Sequence, residues 1–199
     1  MTSQIKVVLL GDISVGKTSI ILKYTQDKFD PNQETSIGNG YGNKPINIEG
    51  TEYILNIWDT AGTEKYNSVS KLCLEECQIL LLCFSITDHK SFENLENWKN
   101  LASSVLNTKS LVLGIVGNKS DLYENEQVKD EEANTYAEKN DAIYKLVSAK
   151  EGIGINQLFE DITKKYIDSG FSKIFYMNRL SISSNIIPKD NNRKKSCCK

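Results

Sequence analysis

Eight residues restrict this chain more than any others: Gly11-Asp12-Ile13-Ser14-Val15-Gly16-Lys17-Thr18. They satisfy the pattern GxxxxGK[ST] and stand between an apolar run, Ile5 to Leu10, and a segment from Lys17 to Tyr24 that reads as a helix. A loop in that setting turns its backbone N–H groups toward phosphates, and the helix that follows adds the positive end of its dipole. Lys17 is expected to reach the β- and γ-phosphates. Thr18 is expected to offer its hydroxyl to Mg²⁺, a hard ion that takes oxygen ligands. Ile13, Ser14, Val15, Gly16 and Ser19 complete the expected phosphate-binding set. The motif alone names no base, and it does not separate a switch from a kinase or a motor.

The remaining pattern predicts an α/β chain. Lys44 to Glu49 and Glu52 to Trp58 read as strands around a turn at Glu49-Gly50-Thr51, and Ile79 to Ile86 and Leu111 to Val116 as buried strands. Phe92, Leu95, Trp98, Leu101 and Leu106 mark one face of a long helix that starts near His89. A polar helix is expected from Lys129 to Lys139, a short strand from Ala142 to Val147, and a last helix from Ile155 to Ile167 with the face Leu158, Ile162, Tyr166. Alternating strands and helices imply a P-loop fold: a mostly parallel six-stranded sheet covered by helices on both faces, with one antiparallel hairpin.

Three further segments follow strands. Asp59-Thr60-Ala61-Gly62 follows Trp58, so Asp59 is placed to hold Mg²⁺ through water and the Gly62 N–H to touch a γ-phosphate. In the polar stretch from Asp27 to Asn43, Ser36 is a candidate metal ligand, with Thr35 competing for that role, and release of such a loop on hydrolysis would make a switch. Phe29 is equally a core anchor or an edge-on neighbour of the base. Asn118-Lys119-Ser120-Asp121 points to guanine. The Asp121 carboxylate can accept both the N1–H and the exocyclic amine, and adenine would leave it desolvated and unpaired. Asn118 can bridge neighbouring loops, the Lys119 stem can lie over the ring, and in Ser148-Ala149-Lys150 the Ala149 N–H can donate to O6.

Charge separates the body from a tail. From Gly170 onward there are seven Lys or Arg residues against one acid, Asp190, about +6; with a whole-chain charge of -2 the body then carries about -8. That distribution does not match a nucleic-acid reader, whose basic residues cover a folded face. We therefore expect a domain over 1–169 and a flexible tail over 170–199. Cys73, Cys77 and Cys83 lie in the body, Cys197 and Cys198 stand side by side near the end, and no zinc-type spacing occurs, which fits a reducing compartment. The first residues are too short an apolar run for a secretory signal, and no run of 18 apolar residues occurs.

With these elements in order, the chain resembles a Ras-like small GTPase, most closely the Rab branch, over about residues 5 to 168. GDISVGKT matches the phosphate loop, Ser36-Ile37-Gly38 the family's Thr-Ile-Gly, IWDTAG (Ile57 to Gly62) its next segment, and NKSD and SAK its guanine boxes. The resemblance implies GTP and GDP as ligands with Mg²⁺, and hydrolysis of the γ-phosphoryl bond with Lys17, Gly62 and Thr63 in the catalytic positions. It puts Phe29 against the base, and Tyr41, Trp58 and Cys73 on an effector surface where the family has an aromatic triad. It implies geranylgeranyl groups on Cys197 and Cys198, a place on the cytoplasmic face of an intracellular membrane with a soluble pool, and a role in vesicle trafficking. The implied partners are effectors, an exchange factor, a GTPase-activating protein, a GDP-dissociation inhibitor and the prenylation machinery, and no nucleic acid. Two lipids anchor stably where one is marginal, and nearby lysines add attraction to anionic leaflets.

The departures from the family are specific. Its catalytic glutamine is Thr63 here, too short to reach the same water. Ile13 stands where a small residue is usual. Both predict slow intrinsic hydrolysis, and they leave a second reading, a GTP-binding interaction protein of the same fold that hardly turns over. A nucleotide kinase would need lid arginines, and the only two arginines, Arg179 and Arg193, are in the tail.

Overall fold

The structure, a computed structural model, describes residues 3–33, 40–60, 73–106 and 111–171. Twelve elements of regular structure follow one another in these segments: β1 (Ser3–Leu10), α1 (Lys17–Gln26), β2 (Tyr41–Ile48), β3 (Thr51–Trp58), β4 (Ile79–Ser85), α2 (His89–Glu93), α3 (Leu95–Ser103), β5 (Val112–Asn118), a 3₁₀ turn (Ser120–Asn125), α4 (Asp130–Lys139), β6 (Ile143–Leu146) and α5 (Ile155–Asp168). The six strands form one sheet in the order β2-β3-β1-β4-β5-β6. Every pairing is parallel except β2 with β3. The six-stranded, mostly parallel expectation holds.

The central strands are apolar on both sides because both sides are covered. Along β1, Val7 and Leu9 face one core with α1 and α5, where Ile20, Tyr24, Leu158, Phe159, Ile162 and Tyr166 meet them. Val8 and Leu10 face a second core with α2, α3 and α4, built from Leu80, Leu82, Phe84, Phe92, Leu95, Trp98, Ala133 and Ala137. All seven residues of β4 are buried. Each fully buried aliphatic or aromatic side chain contributes about 1.5–3 kcal/mol of transfer free energy. The predicted face of the last helix is fully buried: Leu158, Ile162 and Tyr166 are at most 1% exposed.

The hairpin is longer than the sequence suggested. Tyr41 pairs with Trp58 and Ile48 with Thr51, so β2 begins three residues before Lys44. Its turn is Glu49-Gly50, both with positive φ, the two-residue geometry that suits twisted strands. The edge position of β2 accommodates Pro45 in the middle of the strand.

Two other expectations change. The long helix predicted from His89 is interrupted at Asn94, which closes α2 and opens α3. β5 extends to Asn118, one pairing beyond Gly117, so Asn118 belongs to the strand end and not to the loop after it. A strand ends where its ladder partner ends, and Ser85 of β4 still pairs there. The tail beyond Phe171 lies outside the described residues.

Candidate functional site

The carboxyl ends of β1, β3, β5 and β6 deliver four loops to one edge of the sheet, the position where open α/β folds collect ligands. They surround a cleft of about 440 Å³. Twelve of the candidate nucleotide-binding residues share its wall: Ile13, Ser14, Gly16, Lys17, Thr18, Ser19, Phe29, Asn118, Lys119, Asp121, Ala149 and Lys150. Asp30, Pro31, Gln33, Thr60 and Leu122 line it as well and were not anticipated. Their only sequence signal is adjacency to Phe29, Asp59 and Asp121. Val15 and Ser148 do not line the cleft. Val15 is buried in the core at 1% exposure and Ser148 is fully buried beneath the rim.

The phosphate loop has the backbone of an anion nest. Ser14 and Gly16 both adopt left-handed conformations, φ 62 and φ 95, and α1 then starts from Gly16 with no side-chain cap. Two glycines are required by contact as well as by φ. A Cβ on Gly11 (φ +149) would stand 2.1 Å from the Cys83 carbonyl oxygen, and one on Gly16 would meet Asn118 Nδ2 at 2.3 Å. Lys17 is only 5% exposed, and its Nζ donates to the carbonyls of Gly11 and Asp12, both at 2.8 Å. Burial pushes its ammonium below the ordinary lysine range, and the nearby Asp59 opposes that shift. An anion in the nest would stabilise the charged form further.

Beside Lys17, Thr18 Oγ1 donates to Asp59 Oδ2 at 2.5 Å. Asp59 is 1% exposed, and its N–H donates to Gly40 O at 2.8 Å, which ties the start of β2 to the end of β3. Thr60 Oγ1 donates to Leu9 O at 2.7 Å and pins the same turn to β1. A hydroxyl and a carboxylate side by side at a phosphate loop are hard oxygen donors of the kind that hold Mg²⁺, with a substrate's phosphate oxygens completing the octahedron. The donor set fits that ion. Among the described residues no cluster of three or more His, Cys, Asp or Glu forms a metal cage.

At the other end of the cleft, Asn118 uses both ends of its amide. Its Nδ2 donates to Val15 O at 2.9 Å, and its Oδ1 accepts from the Ala149 N–H at 3.1 Å. Asn118 thus bolts the phosphate loop to the Ser148-Ala149-Lys150 loop. The Ala149 N–H, expected to face guanine O6, points to Asn118 in this structure. Asp121 is set by its neighbours: Ser148 Oγ donates to Oδ1 at 2.6 Å, and Lys150 Nζ lies 3.9 Å from Oδ2. Its side chain is 11% exposed, so an unmatched base would leave it poorly solvated. Lys119 takes a left-handed backbone (φ 69), and burial lowers its ammonium pKa. Phe29 is 37% exposed on the cleft wall and belongs to neither core cluster.

The proposed effector face is only partly as expected. Tyr41, 53% exposed, and Trp58 pack edge to face at 5.2 Å, and Tyr41 OH donates to Asn56 Oδ1 at 2.7 Å. Cys73 differs from the expectation: at 4% exposure it is buried, in the same core cluster as Leu74, Cys77 and Leu80. Thr35, Ser36, Gly62, Thr63, Cys197 and Cys198 lie outside the described residues. Among the described residues no helix is long and apolar enough to cross a membrane.

Comparison with known proteins returns matching results. Residues 6–168 match the Ras family. Over 168 residues the chain is 38% identical to the Ras-related protein Rab-21 of Bos taurus, covering 84% of this chain and 75% of that one. It is 37% identical to the Ras-related protein Rab-21 of Geodia cydonium over the same length, 84% and 73% of the two chains. The Ras-related protein Rab-2B of Dictyostelium discoideum is 33% identical over 162 residues, 81% of this chain and 80% of its own.

Proposed function

The chain belongs to the Ras family of small GTPases, in its Rab branch, and we propose from that membership a detailed assignment of its nucleotide site, its metal and its anchor. It is a GTP hydrolase that cycles between GDP- and GTP-bound states and recruits effectors in vesicle trafficking. The observation that carries the assignment is one cleft in which Lys17, at the start of α1, meets Asn118 and Asp121, from the end of β5 and the turn that follows it.

The loop Ile13 to Thr18 binds the phosphates through its N–H groups, and Lys17 neutralises the β- and γ-phosphoryl oxygens. Asp121 accepts from guanine N1–H and the exocyclic amine while Ser148 fixes its orientation. Phe29 and the Lys119 stem cover the base. Thr18 and Asp59, with Ser36 in the GTP state, would hold Mg²⁺, which would supply Lewis-acid stabilisation of the charge on the β- and γ-phosphates. In hydrolysis a water oxygen bonds to the γ-phosphorus as the bond to the β–γ bridging oxygen breaks, giving GDP and phosphate. The Gly62 N–H holds the γ-phosphate, and Thr63 replaces the longer side chain that would orient the water. Ile13, 46% exposed toward the cleft, takes up space that the water or a stimulating group needs. Intrinsic turnover is therefore slow.

Rab proteins are membrane-associated trafficking proteins. In this chain Cys197 and Cys198 carry the geranylgeranyl groups, and the tail's lysines add electrostatic attraction at a cytoplasmic leaflet. Exchange factors, activating proteins and a GDP-dissociation inhibitor act on the cycle, and effectors meet Tyr41 and Trp58.

The experiment is direct: purify the chain, identify its bound nucleotide, and time the loss of the γ-phosphate in one turnover. Co-purifying guanine nucleotide with slow phosphate release is expected. A preference for ATP would end this reading.

A further inference from the structure

A carboxylate inside a phosphate-binding loop is an electrostatic contradiction, since like charge a few ångströms away weakens anion binding. The loop of this chain carries one at Asp12. The structure turns it outward. Asp12 Oδ1 accepts from Trp98 Nε1 at 2.7 Å, and Oδ2 accepts from Asn94 Nδ2 at 2.6 Å. The main-chain carbonyl of the same residue accepts from Lys17 Nζ at 2.8 Å. One residue thus connects the cation of the phosphate loop to donors 82 and 86 positions away in the chain.

Both donors are well placed to act as a fixed support. Trp98 is 5% exposed and packed in the second core with Leu95 and Ala102, so its indole has little freedom to follow a moving loop. Asn94 is the residue at which α2 ends and α3 begins. The helix interruption and the loop anchor are the same side chain. Hydrogen bonds from neutral donors to a charged acceptor are stronger than neutral pairs, and here they occupy both carboxylate oxygens.

We propose that Asp12, Asn94 and Trp98 are positioning residues for the phosphate loop. The two donors keep the Asp12 charge away from the nucleotide and hold its carbonyl under Lys17, so the α2–α3 junction governs how long the β-phosphate stays bound. A protein that displaces this junction would speed nucleotide release without entering the cleft. The inference rests on the assignment of the cleft to GTP and GDP.

The test uses the full chain loaded with a fluorescent GDP, with release rates measured alongside the affinities for GDP and GMP. Trp98→Phe keeps the ring packing and removes only the N–H, and Asn94→Ala removes the other donor. Each is expected to accelerate GDP release about tenfold, the weight of one charge-assisted hydrogen bond. The GDP-to-GMP affinity ratio falls by a similar factor, because Lys17, whose ammonium the Asp12 carbonyl holds, acts on the β-phosphate that GMP lacks. In an Asp12→Ala background, Trp98→Phe changes release by less than about twofold, as expected of two groups acting through one bond. Unchanged release, equal losses for GMP and GDP, or additive effects in the double variant would overturn the proposal. If the unmodified chain holds no guanine nucleotide, the assignment of the cleft fails and this inference goes with it; if it does, those outcomes bear on the inference alone.

Discussion

The hydroxyl of Thr18 donates to a carboxylate oxygen of Asp59 at 2.5 Å, across 41 positions of sequence. This contact joins the first turn of α1 to the end of β3 at the bottom of the cleft. It sets two hard oxygens side by side, where the proposed assignment places Mg²⁺. Thr18→Ala is expected to weaken Mg²⁺-dependent nucleotide retention by about 10–100-fold, the usual effect of losing a metal-site partner. Nucleotide release timed with and without a chelator checks this: the parent should release much faster once Mg²⁺ is removed, and the variant should show little further change.

In the proposed assignment Asp121 selects the base. Asp121→Ala removes a charged acceptor and should cost guanine binding about 1.5–3 kcal/mol, roughly 10–100-fold in affinity. Competition between GTP and ATP for the cleft measures it. Retention of the full guanine preference by the variant would contradict the role given to this residue.

The proposed assignment makes Thr63 and Ile13 the cause of a slow chemical step. Thr63→Gln is expected to raise single-turnover hydrolysis by at least about tenfold, because the longer amide can orient water. Ile13→Gly should add to that gain by clearing the cleft wall. Phosphate release from preloaded protein is the readout, and a parent already as fast as the Thr63→Gln variant would remove the basis for both changes.

Gly11 has no room for a side chain. Its would-be Cβ lies 2.1 Å from a backbone oxygen of β4, and its φ of +149 is strained for any L residue. Gly11→Ala should destabilise the protein by about 1–3 kcal/mol or more, as overpacking against backbone does. The change is measurable as a lower Tm together with loss of bound nucleotide.

Tyr24 supplies a pH dependence. Its ring stacks on Phe159 at 3.9 Å, and burial, with the charge of Glu160 adding to it, raises the phenol from 10.0 to about 12. A raised folded-state pKa means that the native state keeps a proton the unfolded chain gives up. This contribution is intact below pH 10 and disappears as pH climbs to about 12. Denaturant titrations across that range should show stability falling, with a shallower decline for Tyr24→Phe.

Much of the site could be read from the chain because each piece is local. The phosphate loop needs eight consecutive residues, and NKSD and SAK are shorter still. Their chemistry follows from backbone geometry and side-chain type within one turn. The central strands announce themselves as apolar runs for the same reason, since double-sided burial leaves no polar alternation to hide them.

Other features depend on residues that meet only after the chain has folded. Asn118 reaches Val15 across 103 positions, Asp12 reaches Trp98 across 86, and Cys73 sinks into the core instead of joining Tyr41 and Trp58 at the surface. The interruption at Asn94 has no glycine or proline to mark it, and Asn94 is turned toward a loop that sequence periodicity cannot see. The sequence by itself determined the nucleotide loops and the α/β alternation, because short-range sterics and hydrogen bonding fix them. Tertiary packing decided which donors satisfy the buried polar groups, because their partners are chosen by the sheet order and by the cost of leaving any of them unmatched.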